Sequence, residues 1–286
     1  MDNKIKIDGE PSCVTDIRER ILESFKDLVF EEGPHKYFLN GNELPSVSHM
    51  THSFEEEVDF TEVASNYAEK NGHDAQYWLD QWKFKNLKAT TTGTMVHEYG
   101  ESLGWLRNGH PEFITEANKV KYIKDKQWLI PTRPKEEAIL KFFNELNKDL
   151  HFVLAETKVY TGKNRGLTDL KQDYAGTFDL LMYYDCKESP EKSGLVLMDY
   201  KTNASLRNTF NRTKGKMLLA PFGDMFAESL SLYTLQLSAY QIPLEDIGLS
   251  VVARRIIWLR DNGEYELIPV NNVTKQLRDV WSKKQE

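Results

Sequence analysis

The sequence predicts an α/β (α+β) fold: a mixed central β-sheet flanked by helices, with an N-terminal hairpin and helical lobe in front. Three observations lead there. Residues 152–160, 174–184 and 195–201 are consecutive β-rich segments separated by Gly, Asn, Asp and Pro clusters. Segments of helical spacing stand before and after them. Two turn signals, Asn40-Gly41 and Asp261-Asn262-Gly263, lie between apolar runs.

The elements follow in order. Residues 14–28 read as a short amphipathic helix, and 29–39 with 43–48 as a hairpin about Asn40-Gly41. The acidic stretch 55–69 has helical composition and reads as a solvated helix face. Residues 90–106 form a helix, with Thr91, Thr92 and Thr94 offered as N-caps and Gly93 near its start. A second helix covers 135–147, preceded by Pro134. After the three strands, 225–241 returns to helical spacing. Residues 247–259 and 264–270 make another hairpin, and 272–284 a closing helix. We expect a lobe over 1–89 and a core over 90–286, joined as one compact unit.

Composition narrows the function classes. The 286 residues are 40% apolar and 28% charged, a globular balance that excludes collagen, a disordered tail and a disulfide scaffold. Cys13 and Cys186 are too few for a four-ligand zinc site or iron–sulfur cluster, and read as free thiols of a reducing compartment. No apolar run approaches the ~18 residues that span a bilayer. The opening MDNKIKIDGEPSC lacks a signal-peptide core and transit-peptide character, so a cytoplasmic location without a membrane partner is expected. The net charge of −7 argues against a protein that coats DNA through an overall positive field. A nucleic-acid enzyme with a local basic groove stays open.

Three predicted strands each carry an acid among apolar neighbours: Glu156, Asp179 and Asp199. Asp199 and Lys201 are two apart, so they project from one face of a hydrophobic strand. Alone, D-x-K is most simply a strand-end salt bridge. If the strands are sheet neighbours, the three carboxylates converge on one cation, and such oxygen ligands suit Mg²⁺ or Mn²⁺. His97, in GTMVHEYGE, is not part of H-E-x-x-H, because position 101 is Glu. A lone helical His is usually structural, but beside three acids it becomes a nitrogen ligand that tilts the preference toward Mn²⁺. Gln236 and Tyr240 share a helix face, either as a polar edge or as groups aimed at a phosphate or base. The segment TNASLRNTFNRTKGKM holds Arg207, Arg212, Lys214 and Lys216 and no acid, and reads as a solvated loop or a phosphate-contacting one.

GTMVH, Glu156, GTFD, DYKT and QLSAY occur in this order over about residues 90–260. Together they resemble the RecB-like branch of the PD-(D/E)XK nuclease superfamily. The opening HKYFLNGNELPSVS resembles the start of small phage-type and mitochondrial-genome-maintenance-type exonucleases of that branch. The resemblance implies a restriction-endonuclease-like core. It implies that His97, Asp179, Asp199 and the main-chain carbonyl of Tyr200 ligate the catalytic metal, one or two Mg²⁺ or Mn²⁺ ions. Glu156 would support the site, Lys201 would orient or activate water and stabilise phosphate charge, and Gln236 and Tyr240 would hold the substrate backbone. Arg207, Arg212 and Lys214 are the candidate phosphate contacts. His35 and Ser46 lie outside the core motif and receive no catalytic role.

The expected function is a metal-dependent DNA exonuclease acting on single-stranded DNA or single-stranded ends in recombination, repair or genome processing. Alternatives with the same site are a structure-specific endonuclease and a nuclease-fold binding module. The expected partner is DNA, with a single-strand annealing or binding protein as a second, in a bacterial or phage-infected cytoplasm. No iron–sulfur cluster is expected, and no ATP, since GKNRG and TKGKM do not fit a phosphate loop. A strand would thread an opening roofed by 1–89 and 202–225, where Tyr77, Trp78, Trp82, Phe210 and Phe222 are candidates for base stacking.

Overall fold

Three apolar segments, buried in near-continuous runs because helices cover both faces, build the centre of the molecule. The computed structural model describes residues 7, 9–122, 129–162 and 170–282. The GKNRG string and the last two residues of the expected closing helix lie largely or wholly outside them. Strands β4 (Leu150–Tyr160), β5 (Ala175–Tyr184), β6 (Gly194–Lys201), β7 (Val251–Leu259) and β8 (Tyr265–Pro269) form a five-stranded sheet in the order β4-β5-β6-β7-β8. The β6–β7 pair is parallel and the other three are antiparallel, so the sheet is mixed as expected. The parallel pair requires a crossover. It is supplied by α7 (Thr209–Lys214) and α8 (Ser229–Asp246).

Helices cover both faces. Consecutive residues of β6 point to opposite sides, and they identify the two layers. Tyr200 packs under α4 (Ala75–Arg107), where a Cβ on Gly100 would lie 2.8 Å from its ring. Lys201, on the other face, sits 4.2 Å from the ring centre of Tyr233 in α8. The helix α6 (Pro134–Asn144) packs beside α4 through Ile139 and Phe143. Pro243 lies inside α8 and has no N–H for the carbonyl one turn back, that of Ala239. The buried Tyr174 hydroxyl donates to that carbonyl at 2.9 Å, so the helix runs on past the proline.

The N-terminal segments are fastened to the sheet. The helix α1 (Ser12–Phe25) lies on β4, where fully buried Arg18 donates to the carbonyls of Val153 and Phe152 at 2.7 and 3.0 Å and pairs with Glu10 at 2.7 Å. Strands β1 (Leu28–Glu31), β2 (Lys36–Leu39) and β3 (Asn42–Leu44) form a small antiparallel sheet. Asn40 and Gly41 turn at φ of 51° and 79°, the positive pair a tight hairpin needs. Tyr37 reaches the main sheet, its hydroxyl 3.0 Å from that of Thr177. The short helix α2 (Val47–His52) follows, and Ser46 is its N-cap, accepting from the His49 N–H at 3.0 Å. Two further helices, α3 (Phe60–Asn71) and α5 (Glu116–Tyr122), flank α4, and α9 (Thr274–Trp281) packs on α8.

Several boundaries differ from expectation. The single strand read over 29–39 is two strands, separated by a turn in which His35 takes a φ of 56°. The helix read from residue 90 begins at Ala75, capped by Asp74 accepting from the Tyr77 N–H at 2.8 Å. Its threonines are not caps: Thr90 and Thr94 donate to carbonyls one turn back, at 3.1 Å each, which lets them sit inside a helix. The boundary expected at 89/90 therefore falls within one continuous helix of 33 residues. The basic loop after β6 contains the short helix α7, closed by Gly215 at a φ of 63°.

Candidate metal centre at the sheet end

The site forms where the sheet opens. The β5–β6 ladder pairs Leu180 with Met198, and one step further would place Asp179 opposite Asp199. There the carboxylate replaces the ladder: Asp179 Oδ2 accepts the Tyr200 N–H at 2.7 Å. On the other side, the β4–β5 ladder pairs Ala155 with Leu180 and Thr157 with Phe178, which sets Glu156 across from Asp179. Glu156 has a φ of 44°, the left-handed region that a glutamate rarely enters. Such strain costs about 1–3 kcal/mol and survives only where the surroundings fix it.

Above these strands, α4 brings down His97. Its Nδ1 lies 3.3 Å from Asp179 Oδ2 and 3.7 Å from Glu156 Oε1. Ligand atoms of His97, Glu156 and Asp179 all lie within 4.8 Å of one another. Glu156 Oε1 is buried and accepts no hydrogen bond. A buried carboxylate oxygen without a donor is costly. A cation among these three groups would relieve it, so the residues fit a divalent metal. Two carboxylates and one imidazole suit Mn²⁺ well and Mg²⁺ acceptably.

Asp199 and Lys201 make the second half of the site. They share a strand face as predicted, with Lys201 Nζ 2.5 Å from Asp199 Oδ2. Burial, and then the nearby Asp179 charge, push the Asp199 carboxyl up to about 6. Burial alone would lower the Lys201 ammonium, but Asp199 and Asp179 override it and raise it. The two carboxylates thus favour the charged form of the ammonium. Burial likewise works against a charged His97 ring, yet Asp179 and then Glu156 hold it well above the usual imidazole range. Asp179 is lowered in spite of burial by His97, Lys201 and the Tyr200 N–H. A metal held here would have to displace the His97 proton, so its affinity would rise with pH.

The observed set differs from the expected one in emphasis. Glu156, expected as a support, stands in the ligand cluster, while Asp199 is tied to Lys201. Tyr200 contributes its N–H to Asp179, and its ring meets His97 edge-on at 5.8 Å. Gln236 donates to the Tyr240 hydroxyl at 3.0 Å, so the two form one unit on α8. The Tyr240 ring lies over Gly176 of β5, and burial, then Asp199, push its phenol well above its usual range.

The basic segment is only partly available. Arg207 and Lys214 are exposed, but Arg212 is locked on Glu228 through two of its nitrogens, at 2.7 and 2.5 Å, and lies over the Phe226 ring. Among the stacking candidates, Phe222 is core, packed edge-on against Phe54. Trp78 and Trp82 pack with Tyr67 and join α3 to α4, and Tyr77 stacks on His73. Phe210 is left largely exposed.

One acid was passed over in the sequence. Glu101 lies one turn after His97 on α4, and the i, i+4 spacing is the signal that finds it. Burial, then Glu156 and Glu98, push it from 4.5 to about 7. The folded chain therefore holds this proton longer than the unfolded chain, and Glu101 lowers stability progressively as pH rises from 4.5 to about 7. In metal-free protein, Glu101→Gln is expected to raise Tm at pH 8 and leave it nearly unchanged at pH 4.5. A gain of equal size at both pH values, by differential scanning calorimetry, would rule this out.

A scan against family models finds no match to this chain, and a search of curated proteins also returns none. No helix of the described residues is long and apolar enough to cross a membrane. Both described cysteines are free.

Proposed function

We propose that this protein is a metal-dependent nuclease of the RecB-like PD-(D/E)XK type, with a restriction-endonuclease-like core, acting on DNA ends in the cytoplasm. The observation that carries the reading is the unsatisfied Glu156 oxygen beside His97 Nδ1 and Asp179, with a charged Lys201 next to them. Candidate metal ligands, a neighbouring cation and partial solvent access, here at His97 and Glu156, are what phosphodiester hydrolysis needs. A divalent ion held by His97, Glu156 and Asp179 would supply Lewis-acid stabilisation of a phosphate oxygen and would increase the acidity of water.

The chain's own groups supply the rest. Lys201 stabilises the charge that grows on the phosphate as water oxygen bonds to phosphorus and the P–O bond to the leaving sugar breaks. Asp199 holds Lys201 in place and, with a carboxyl near 6, is suited to take up a proton. The Tyr200 N–H fixes Asp179. The Gln236–Tyr240 unit presents an amide to the substrate backbone, and Arg207 and Lys214 are free to meet phosphates further along.

The test is a time course on end-labelled linear single-stranded DNA beside a covalently closed circle, with Mg²⁺, Mn²⁺ or EDTA, using wild type and Lys201→Ala. Metal-dependent loss of the linear strand alone, absent in the variant, is the expected result, and the label gives the polarity. Cutting of the circle moves the assignment to an endonuclease. No cutting of DNA or RNA substrates sinks the enzyme reading.

A further inference from the structure

A cleft of about 320 Å³ opens beside the metal centre, between α1, α4 and the edge of β4. It shares Glu156 with the centre and has Glu101 as a second acid. Its walls are otherwise mostly apolar: Phe25, Trp105 and Phe113 line it together with Leu22. Leu22 and Phe113 are 39% and 41% exposed and form its solvent-facing lip, while Phe25 and Trp105 are buried and form its floor. Trp105 and Phe113 lie 4.6 Å apart at 37°, a tilted aromatic wall. Lys158, two residues beyond Glu156, is exposed at the rim and has no ion-pair partner among the described residues.

The chemistry of the cleft selects its occupant. Without a bridging cation Glu101 and Glu156 repel a phosphate, so a further phosphate stays out of this acidic end, and Lys26 and Lys158, which also line the cleft, can meet the nucleic-acid backbone. What enters must be uncharged, flat and largely apolar on its faces. It must also tolerate hydrogen-bond acceptors at one edge, as the amino groups of cytosine and adenine do. The volume is at the low end of small-molecule sites, roughly 300–1,000 Å³, which accommodates one base. We propose that this cleft receives the base of the nucleotide adjoining the phosphate held at His97, Glu156 and Asp179. The proposal rests on the nuclease reading and deepens it: the enzyme grips one base by stacking, without reading a long sequence.

The experiment uses wild-type protein and a fluorescent single-stranded hexadeoxynucleotide in Ca²⁺, with binding measured by polarisation. Six further oligonucleotides each carry one abasic position. One abasic position is expected to weaken binding roughly 5- to 100-fold, the scale of losing one stacked base, and the others far less. In Leu22→Trp, which fills the cleft from an exposed position, that penalty is expected to vanish. Phe113→Ala, which opens the wall, should reduce it. Equal penalties at every position, or an undiminished penalty in a folded Leu22→Trp, would overturn the cleft while leaving the nuclease reading intact. No binding of any oligonucleotide by wild type would overturn both.

Discussion

Asp179→Asn is expected to abolish metal binding and to cut DNA cleavage by at least ~10²–10³-fold, the scale of removing one preorganised charged group. Asp179 joins His97 to the backbone of β6 between Asp199 and Lys201. Its Oδ2 approaches His97 Nδ1 at 3.3 Å and accepts the Tyr200 N–H at 2.7 Å. The amide oxygen of Asn can still accept that N–H, so the opening of the sheet should survive. The negative charge that holds His97 and a cation is lost. Titration calorimetry with Mn²⁺ should show no binding in a variant whose melting curve remains cooperative. A variant that binds Mn²⁺ as wild type does would show that the cation sits elsewhere.

Lys201→Met is the second large effect, and its size depends on pH. The ammonium lies 2.5 Å from Asp199, whose side chain is almost fully buried. Asp199 already titrates near 6 against an ordinary 3.8, so the folded chain loses stability from this group as pH rises through that interval. Removing Lys201 takes away its main source of stabilising charge and drives the carboxyl higher still. Well below pH 3.8 Asp199 is neutral in both states and the variant should lose little. By pH 8 the loss should grow toward ~3–5 kcal/mol, the usual result of breaking a buried pair. Urea denaturation at the two pH values measures this directly, and a pH-independent loss would refute it. Cleavage should fall at every pH, because Met cannot carry the charge that Lys201 places beside the phosphate.

The sheet was legible because its strands alternate or run apolar, and because acids inside apolar runs are conspicuous. Asp179 and Asp199 stand out for that reason, and strand periodicity alone put Lys201 beside Asp199. The role of Glu156 was harder to read. Its place in the ligand cluster depends on a left-handed backbone angle, which residue types in a strand do not announce. The first half of α4 was missed for a different reason. Residues 83–91 are all exposed, so no buried stripe marks them as helical. The threonines that follow looked like caps because that is their commonest use, whereas here they bond back along the helix. Arg212 appeared free because its partner Glu228 is distant in sequence and meets it only through the fold.

Arg18 has a consequence for how copies of this protein behave at high concentration. β4 is the outermost strand of its sheet, and an outermost strand invites a strand from another molecule. The guanidinium of Arg18 occupies the carbonyls of Phe152 and Val153 and leaves a charged pair with Glu10 alongside. An incoming chain would have to displace both before it could pair there. The residue that anchors the first helix thus also stands in the way of a further strand at that border.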